Sequence, residues 1–138
     1  MKTGFTKFLG NLSASRAAME AAVVDFWQPL DNKIYILLSL ALEAAAWLIA
    51  WLLLVRRLGD VTAALHYNTI FGIDYIGAAA QIYWLPDIGL IILALNLVLA
   101  IMADKKYKLL SQLLLIGSGI LLIFINIALY TLNLINFR

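Results

Sequence analysis

Ile34 to Val55 reads IYILLSLALEAAAWLIAWLLLV, 22 residues with one charge. As a helix at about 1.5 Å per residue the run covers roughly 33 Å, the thickness of a bilayer's hydrocarbon core. Lipid offers a backbone no hydrogen bonds, so such a segment has to satisfy its own. The rest of the chain is placed against this span. A second apolar run covers Pro86 to Ala103, with Pro86 in the first turn, where its missing N–H costs little. A third, Leu109 to Ile135, is long enough to tilt. Only DKKYK, Asp104 to Lys108, separates these two, which predicts an antiparallel helical hairpin.

The expected fold class is an all-α membrane protein in one domain of 138 residues. It would have an N-terminal amphipathic interfacial segment over 1–30, transmembrane helices over 34–55, 86–103 and 109–135, and a compact outer connecting segment over 60–85. Composition agrees: 64% of residues are hydrophobic and 13% charged, more apolar surface than a soluble domain of this size can hide. A net charge of +2, with no basic face carrying interleaved aromatics, argues against a nucleic-acid partner. The absence of cysteine excludes disulfides, thiolate metal sites and thiol catalysis.

Arg16, Glu20 and Asp25 interrupt the first thirty residues, so no signal peptide is expected and the N-terminus should be retained. Phe5, Phe8, Leu9, Leu12, Met19, Val23, Phe26 and Trp27 recur at mostly helical spacing. That pattern fits a helix lying in the cytoplasmic interface, or one packed against its own bundle or a partner. Pro29 should break this helix, and Asp31 or Asn32 should cap the first span. For orientation, Lys2, Lys7, Arg16, Lys33, Lys105, Lys106 and Lys108 fall on one side of the spans, and Arg56, Arg57 and Arg138 on the other. The excess of cationic residues places the N-terminus in the cytoplasm and the 60–85 segment outside.

Helices associate in lipid through small residues and interhelical hydrogen bonds, and each span carries a stripe suited to this. Ser39, Glu43, Ala46 and Ala50 share a face of the first; Gly89, Asn96 and Ala103 recur every seven residues in the second. Gln112, Gly119, Asn126 and Asn133 do the same in the third. Glu43 is the sharpest residue, because a charge near mid-bilayer is costly and belongs in a protein interior or cavity. By helical rise it is about 14 Å from the cytoplasmic end, with Asn96 about 10 Å and Ser118 about 14 Å deep, which makes those two its expected partners. Two roles fit Glu43: a proton or ion relay, or a protonated carboxyl whose hydrogen bond fixes packing. Asn126 lies nearer the outer face, and packing is its expected role.

The outer segment contains LHYNTIFGIDYIG, with His66, Tyr67, Asn68, Asp74 and the bracketing glycines Gly72 and Gly77. It is too apolar for a free loop and too interrupted for a span, and is expected to form a lid on the outer end of the bundle. Tyr75, Tyr83 and Trp84 suit the headgroup level. His66 supplies at most one axial ligand to a haem or pigment, without a second histidine or a C-x-x-C-H motif, so no cofactor is the expected state. A hydrolytic arrangement of His66 with Asp74 would need Thr62 or Thr69 as nucleophile, and no nucleophile elbow or oxyanion loop accompanies them.

LHYNTIFGIDYIG, followed by LPDIGLIILALNLVLA with its Pro86, Gly89 and Asn96, resembles a family of small multi-pass bacterial membrane proteins to which no activity is assigned. The resemblance covers Leu65 to Ala103. It implies that the outer segment and the second span form one structural unit in a bacterial cytoplasmic membrane. Where members of that family carry a bulky or proline-containing stretch after the second glycine, this chain has Ala78, Ala79 and Ala80. The resulting expectation is a non-enzymatic structural or assembly subunit in the lipid bilayer, either a homo-oligomer or an accessory chain of other membrane subunits. The alternatives are an oligomeric pore or proton path through Glu43, and a pigment- or haem-bearing subunit using His66.

Overall fold

The computed structural model describes residues 2–53 and 62–137, with side chains from Ala14 onward. Arg56, Arg57, Asp60 and Arg138, and the side chains of Lys2, Phe5, Lys7, Phe8, Leu9 and Leu12, lie outside the described residues, together with the readings that rest on them.

Helix α1 spans Lys2–Trp27 and α2 spans Leu30–Leu53. Gln28 and Pro29 separate them, as the steric restriction on a residue before proline requires. Asp31 and Asn32, the two expected caps of the first span, both lie inside α2; Asn32 reaches back, its Nδ2 donating to the Phe26 carbonyl at 2.8 Å. That bond satisfies one of the carbonyls left open at the end of α1. Phe26 itself is buried against Ile36, Ala100 and Leu115, wedged into the base of the bundle. An ion pair between Asp25 and Lys105 at 3.1 Å adds a second tie at that end. From Ala14 to Val24, by contrast, α1 is largely exposed.

Two further helices complete the bundle, α3 over Trp84–Asp104 and α4 over Lys108–Asn136. Among the described residues, three helices are long and apolar enough to cross a membrane: α2, α3 with the short 3-10 helix before it, and α4. The chain is a multi-pass membrane protein. Most helix–helix contact runs through α4, which packs along both α2 and α3, while α2 and α3 meet each other less extensively.

The buried positions explain this packing. In α2 they are Asn32, Ile36, Ser39, Glu43, Ala46, Ala50 and Leu53; in α4, Ser111, Leu115, Ser118, Leu122, Ile125, Leu129 and Leu132. Both series alternate steps of four and three, the spacing that keeps one seam facing a partner in knobs-into-holes packing. The α2 face named from sequence, Ser39 with Glu43, Ala46 and Ala50, is entirely buried. The α4 line is displaced by one residue. Gln112, Gly119, Asn126 and Asn133 are half-buried on the flank, and the seam belongs to Ser111, Ser118 and the leucines between. Leu37, Leu40, Leu48, Leu95, Leu113 and Phe124 point outward, where lipid replaces water as their neighbour.

The outer segment departs from the all-α expectation. Its described part is an antiparallel β hairpin, β1 over Thr62–Asn68 and β2 over Gly72–Ala78, followed by a 3-10 helix over Ala79–Tyr83 that leads into α3. Pairing runs from Thr62 with Ala78 to Asn68 with Gly72, with irregularities on either side of His66 that leave Leu65 and Asp74 as the extra residues of their strands. Gly72 ends the turn at φ +79°, a left-handed conformation that glycine adopts without the Cβ clash. The Asn68 side chain steadies the same turn, its Oδ1 accepting from the Ile70 N–H at 2.8 Å. Ala63 and Ala64 are buried against the end of the bundle, Ala79 and Ile82 join the same core, and Trp47 of α2 stacks on Tyr83 with ring centroids 5.7 Å apart.

Candidate sites in the bundle seam and the hairpin

Glu43 is 4% exposed, and neither of its carboxyl oxygens has a hydrogen-bond partner. It faces α3 at Gly89: a β-carbon built there would stand 2.8 Å from Oε2, and 3.0 Å from the side chains of Leu122 and Ile125. The missing side chain of Gly89 is the space the carboxyl occupies. Trp47, one turn further along α2, is the neighbouring donor, at a geometry short of a hydrogen bond.

Asn96 and Ser118, expected to partner Glu43, bond each other. Asn96 Nδ2 donates to Ser118 Oγ at 2.9 Å, and Ser118 Oγ donates to the Leu114 carbonyl at 3.0 Å. Asn126 Nδ2 is shared between the Leu42 carbonyl of α2 at 3.0 Å and the Leu122 carbonyl of its own helix at 2.8 Å. These are packing bonds, made in a medium where an unmet amide is costly. At Gly119 a β-carbon would meet only Ser39 Oγ, at an ordinary 3.6 Å, so the helices do not need a glycine there to approach.

Asn136, which sequence reasoning passed over, fastens the hairpin. Its Oδ1 accepts from the Ala64 N–H at 2.8 Å, and its Nδ2 donates to the Ala64 carbonyl at 2.9 Å and to the Leu132 carbonyl at 2.8 Å. One side chain thus stands in for a neighbouring strand on the outer edge of β1. An amide four residues beyond a buried leucine, at the end of an apolar run, was the available signal. Ser111, fully buried, was likewise not selected, although it extends the buried heptad line of Ser118 by one step; Asn32, read from sequence only as a cap, extends that of Ser39 in the same way.

In the hairpin, His66 Nδ1 lies 2.6 Å from Asp74 Oδ1, the irregular pairing having brought the two side chains together. The His66 side chain is 65% exposed and is held through Nδ1, an arrangement that orients an imidazole for ligation or proton transfer. Thr62 pairs with Ala78 at the other end of β1, and Thr69 lies in the turn; neither bonds His66, so no nucleophile–base pair is assembled among the described residues. No group of three His, Cys, Asp or Glu able to hold a metal occurs among them either. Tyr67 is exposed. Gly77 lies against the side chains of Gln81 and Leu65 where a β-carbon would stand. Tyr75 Oη donates to Gln81 Oε1 at 3.3 Å beside a cavity of about 330 Å³ lined by Leu65, Ile82, Trp84, Leu85 and Leu132 as well.

Fold and sites together define a multi-pass helical membrane protein, with three helices long and apolar enough to span among the described residues and a β hairpin seated on one end of the bundle. Comparison with protein-family models, with curated proteins and with solved structures finds no match to the chain.

Proposed function

We propose that the chain is a non-enzymatic assembly subunit of a bacterial cytoplasmic membrane, working as a homo-oligomer or as an accessory chain of a larger membrane complex. The observation that carries this reading is the hairpin. Asn136 closes the outer edge of β1, while among the described residues β2 has no second strand paired with it. An open edge is a template for pairing with another chain. Around it the surface is apolar: Ile70 and Phe71 are 80% and 79% exposed, and Ile73, Tyr75 and Ile76 are about as open as the lipid-facing residues of the helices. Protein surfaces of this kind mark contact with a partner or a membrane.

In this reading the N-terminus is cytoplasmic and the hairpin lies outside. The charge distribution supports that orientation through Arg16, Lys33, Lys105, Lys106 and Lys108, all at or before the base of the bundle. The exposed part of α1 then runs along the cytoplasmic interface.

Native mass spectrometry of the gently solubilised protein tests the assignment, with Phe71→Glu/Ile73→Glu as the comparison. The wild-type chain is expected at the mass of a defined assembly, and the variant as a folded monomer. A wild-type chain released as the same monomer as the variant would remove the assembly role.

A further inference from the structure

The hairpin is seated on the bundle through β1, where Ala63 and Ala64 are buried and Asn136 clamps the Ala64 backbone to the end of α4. Beyond that clamp the sheet stands off from the helices. Leu65 and Tyr75 share the cavity of about 330 Å³ with Trp84 and Leu85 at the start of α3 and with Leu132 of α4. Tyr67 and Ile73, paired across the strands, share a second cavity, of about 380 Å³, with Thr131, Leu134 and Ile135 of α4. Four hairpin side chains thus face the bundle across space that the described residues do not fill, and Tyr67, Ile73 and Tyr75 are each about half exposed.

The chemistry of the walls and the surroundings decide what fits there. Both cavities are lined mainly by carbon, and their polar groups are engaged. Thr131 Oγ1 donates into its own helix, to the Ile127 carbonyl at 2.9 Å. The Gln81 carboxamide lies over Gly77, in space that a β-carbon would take, and accepts from the Tyr75 hydroxyl. Apolar cavities stay dry and take apolar guests, so water is a poor occupant. The apolar matter at hand is lipid: both cavities lie at the ends of spanning helices, beside the outward-facing Trp84, Ile88 and Tyr130. Small-molecule sites begin at about 300 Å³, so each cavity has room for a single hydrocarbon chain and not for a whole two-chain lipid.

We propose that the underside of the hairpin is a lipid-binding site, in which each cavity holds one acyl chain of a bilayer phospholipid between the sheet and the outer ends of α3 and α4. A chain held there is raised to the level of the hairpin, above the plane of its neighbours. The assembly role draws on the β2 edge; this site lies beneath the sheet and does not depend on that role.

Photolabelling of the full chain tests it, in phosphatidylcholine vesicles doped with a phosphatidylcholine that carries a diazirine near the methyl end of one acyl chain. In an undisturbed leaflet that end lies at the bilayer midplane, level with the middle of the spans, so the outward-facing Leu95 of α3 is the internal reference. Mass spectrometry is expected to find label on Tyr67, Ile73 or Tyr75 within several-fold of that on Leu95. Two substitutions fill the cavities from half-buried or exposed positions, Leu65→Trp for the first and Thr131→Phe for the second. Leu65→Trp should cut the labelling of Tyr75 several-fold, and Thr131→Phe that of Tyr67 and Ile73, with Leu95 labelled as before. Label confined to the spans of the wild-type chain would overturn the proposal, as would hairpin label that neither substitution reduces, the mark of contact with bulk lipid only. Hairpin label that emerges only when the protein is diluted in the vesicles would give the cavities to a second copy of the chain and overturn it as well.

Discussion

Glu43 of α2 and Gly89 of α3 are fitted to each other: the carboxyl oxygen Oε2 lies 2.8 Å from the point where a β-carbon of residue 89 would stand. A mid-membrane acid and a glycine on the facing helix make one packing unit, closed from the third side by Leu122 and Ile125 of α4. Either residue read alone suggests something more generic, a costly charge or a helix-weakening gap.

The first prediction follows from that fit. Gly89→Ala forces a methyl into the Glu43 carboxyl and should destabilise the bundle by about 1–3 kcal/mol, the range for overpacking. Glu43→Ala vacates the space on one side, so Gly89→Ala should cost less in that background, with Leu122 and Ile125 retaining part of the penalty. Thermal unfolding of the four proteins in detergent gives the coupling. Additivity within about 0.5 kcal/mol would mean that the two sites do not share this space.

Asn136 is expected to control the hairpin and leave the bundle largely intact. Asn136→Leu removes three hydrogen bonds around Ala64 and Leu132, each worth about 0.5–1.5 kcal/mol net where it is shielded from water. Amide exchange in β1, read at Ala64, should speed up markedly, while amides around Ser118 in α4 keep their protection. Equal loss of protection at both places would show that Asn136 supports the whole fold and not the hairpin's seat.

The spans were legible because twenty-residue apolar runs have few alternatives in water or in lipid, and α2's seam was legible because Ser39, Glu43, Ala46 and Ala50 stand out among leucines. In α4 the same reasoning picked the flank. There Leu115, Leu122 and Leu129 fill the seam, and leucine faces lipid as readily as it faces protein, so hydrophobicity stops marking the interior. The hairpin escaped for a different reason. Extra residues at Leu65 and Asp74 break the alternation that announces a strand, and two alanines, Ala63 and Ala64, are its buried residues. The Asn136 amide could be seen at the end of the third run, but its partner Ala64 could not, since that pairing depends on β1 lying beside the end of α4.

Topology gives the next expectation. Thr69 is in the hairpin turn and Lys106 in the turn between α3 and α4, both exposed and at opposite ends of the bundle. Cysteines placed at the two positions of this cysteine-free chain should react with an impermeant maleimide from opposite sides of a sealed vesicle, position 69 from outside. Labelling of both from one side would contradict the three-span arrangement. Labelling of 106 alone from outside would reverse the orientation and keep the arrangement.

The last prediction ranks two substitutions in the hairpin. At Gly72 a side chain has open space around it but must adopt φ +79°, which costs a residue with a β-carbon roughly 1–2 kcal/mol and a β-branched one more. His66 sits in a largely exposed pair with Asp74, where such contacts contribute at most about 1 kcal/mol. Gly72→Val should therefore lower the unfolding temperature in detergent more than His66→Gln, and should raise amide exchange at Asn68 and Ile73 on either side of the turn. Were His66 instead the ligand of a pigment or haem, the order would differ in kind: His66→Gln would abolish a visible absorbance band of the purified protein while Gly72→Val kept it. An absorbance scan taken beside the melts reads both outcomes on the same samples, and a band lost only with His66 would convert the hairpin from an assembly surface into a cofactor site.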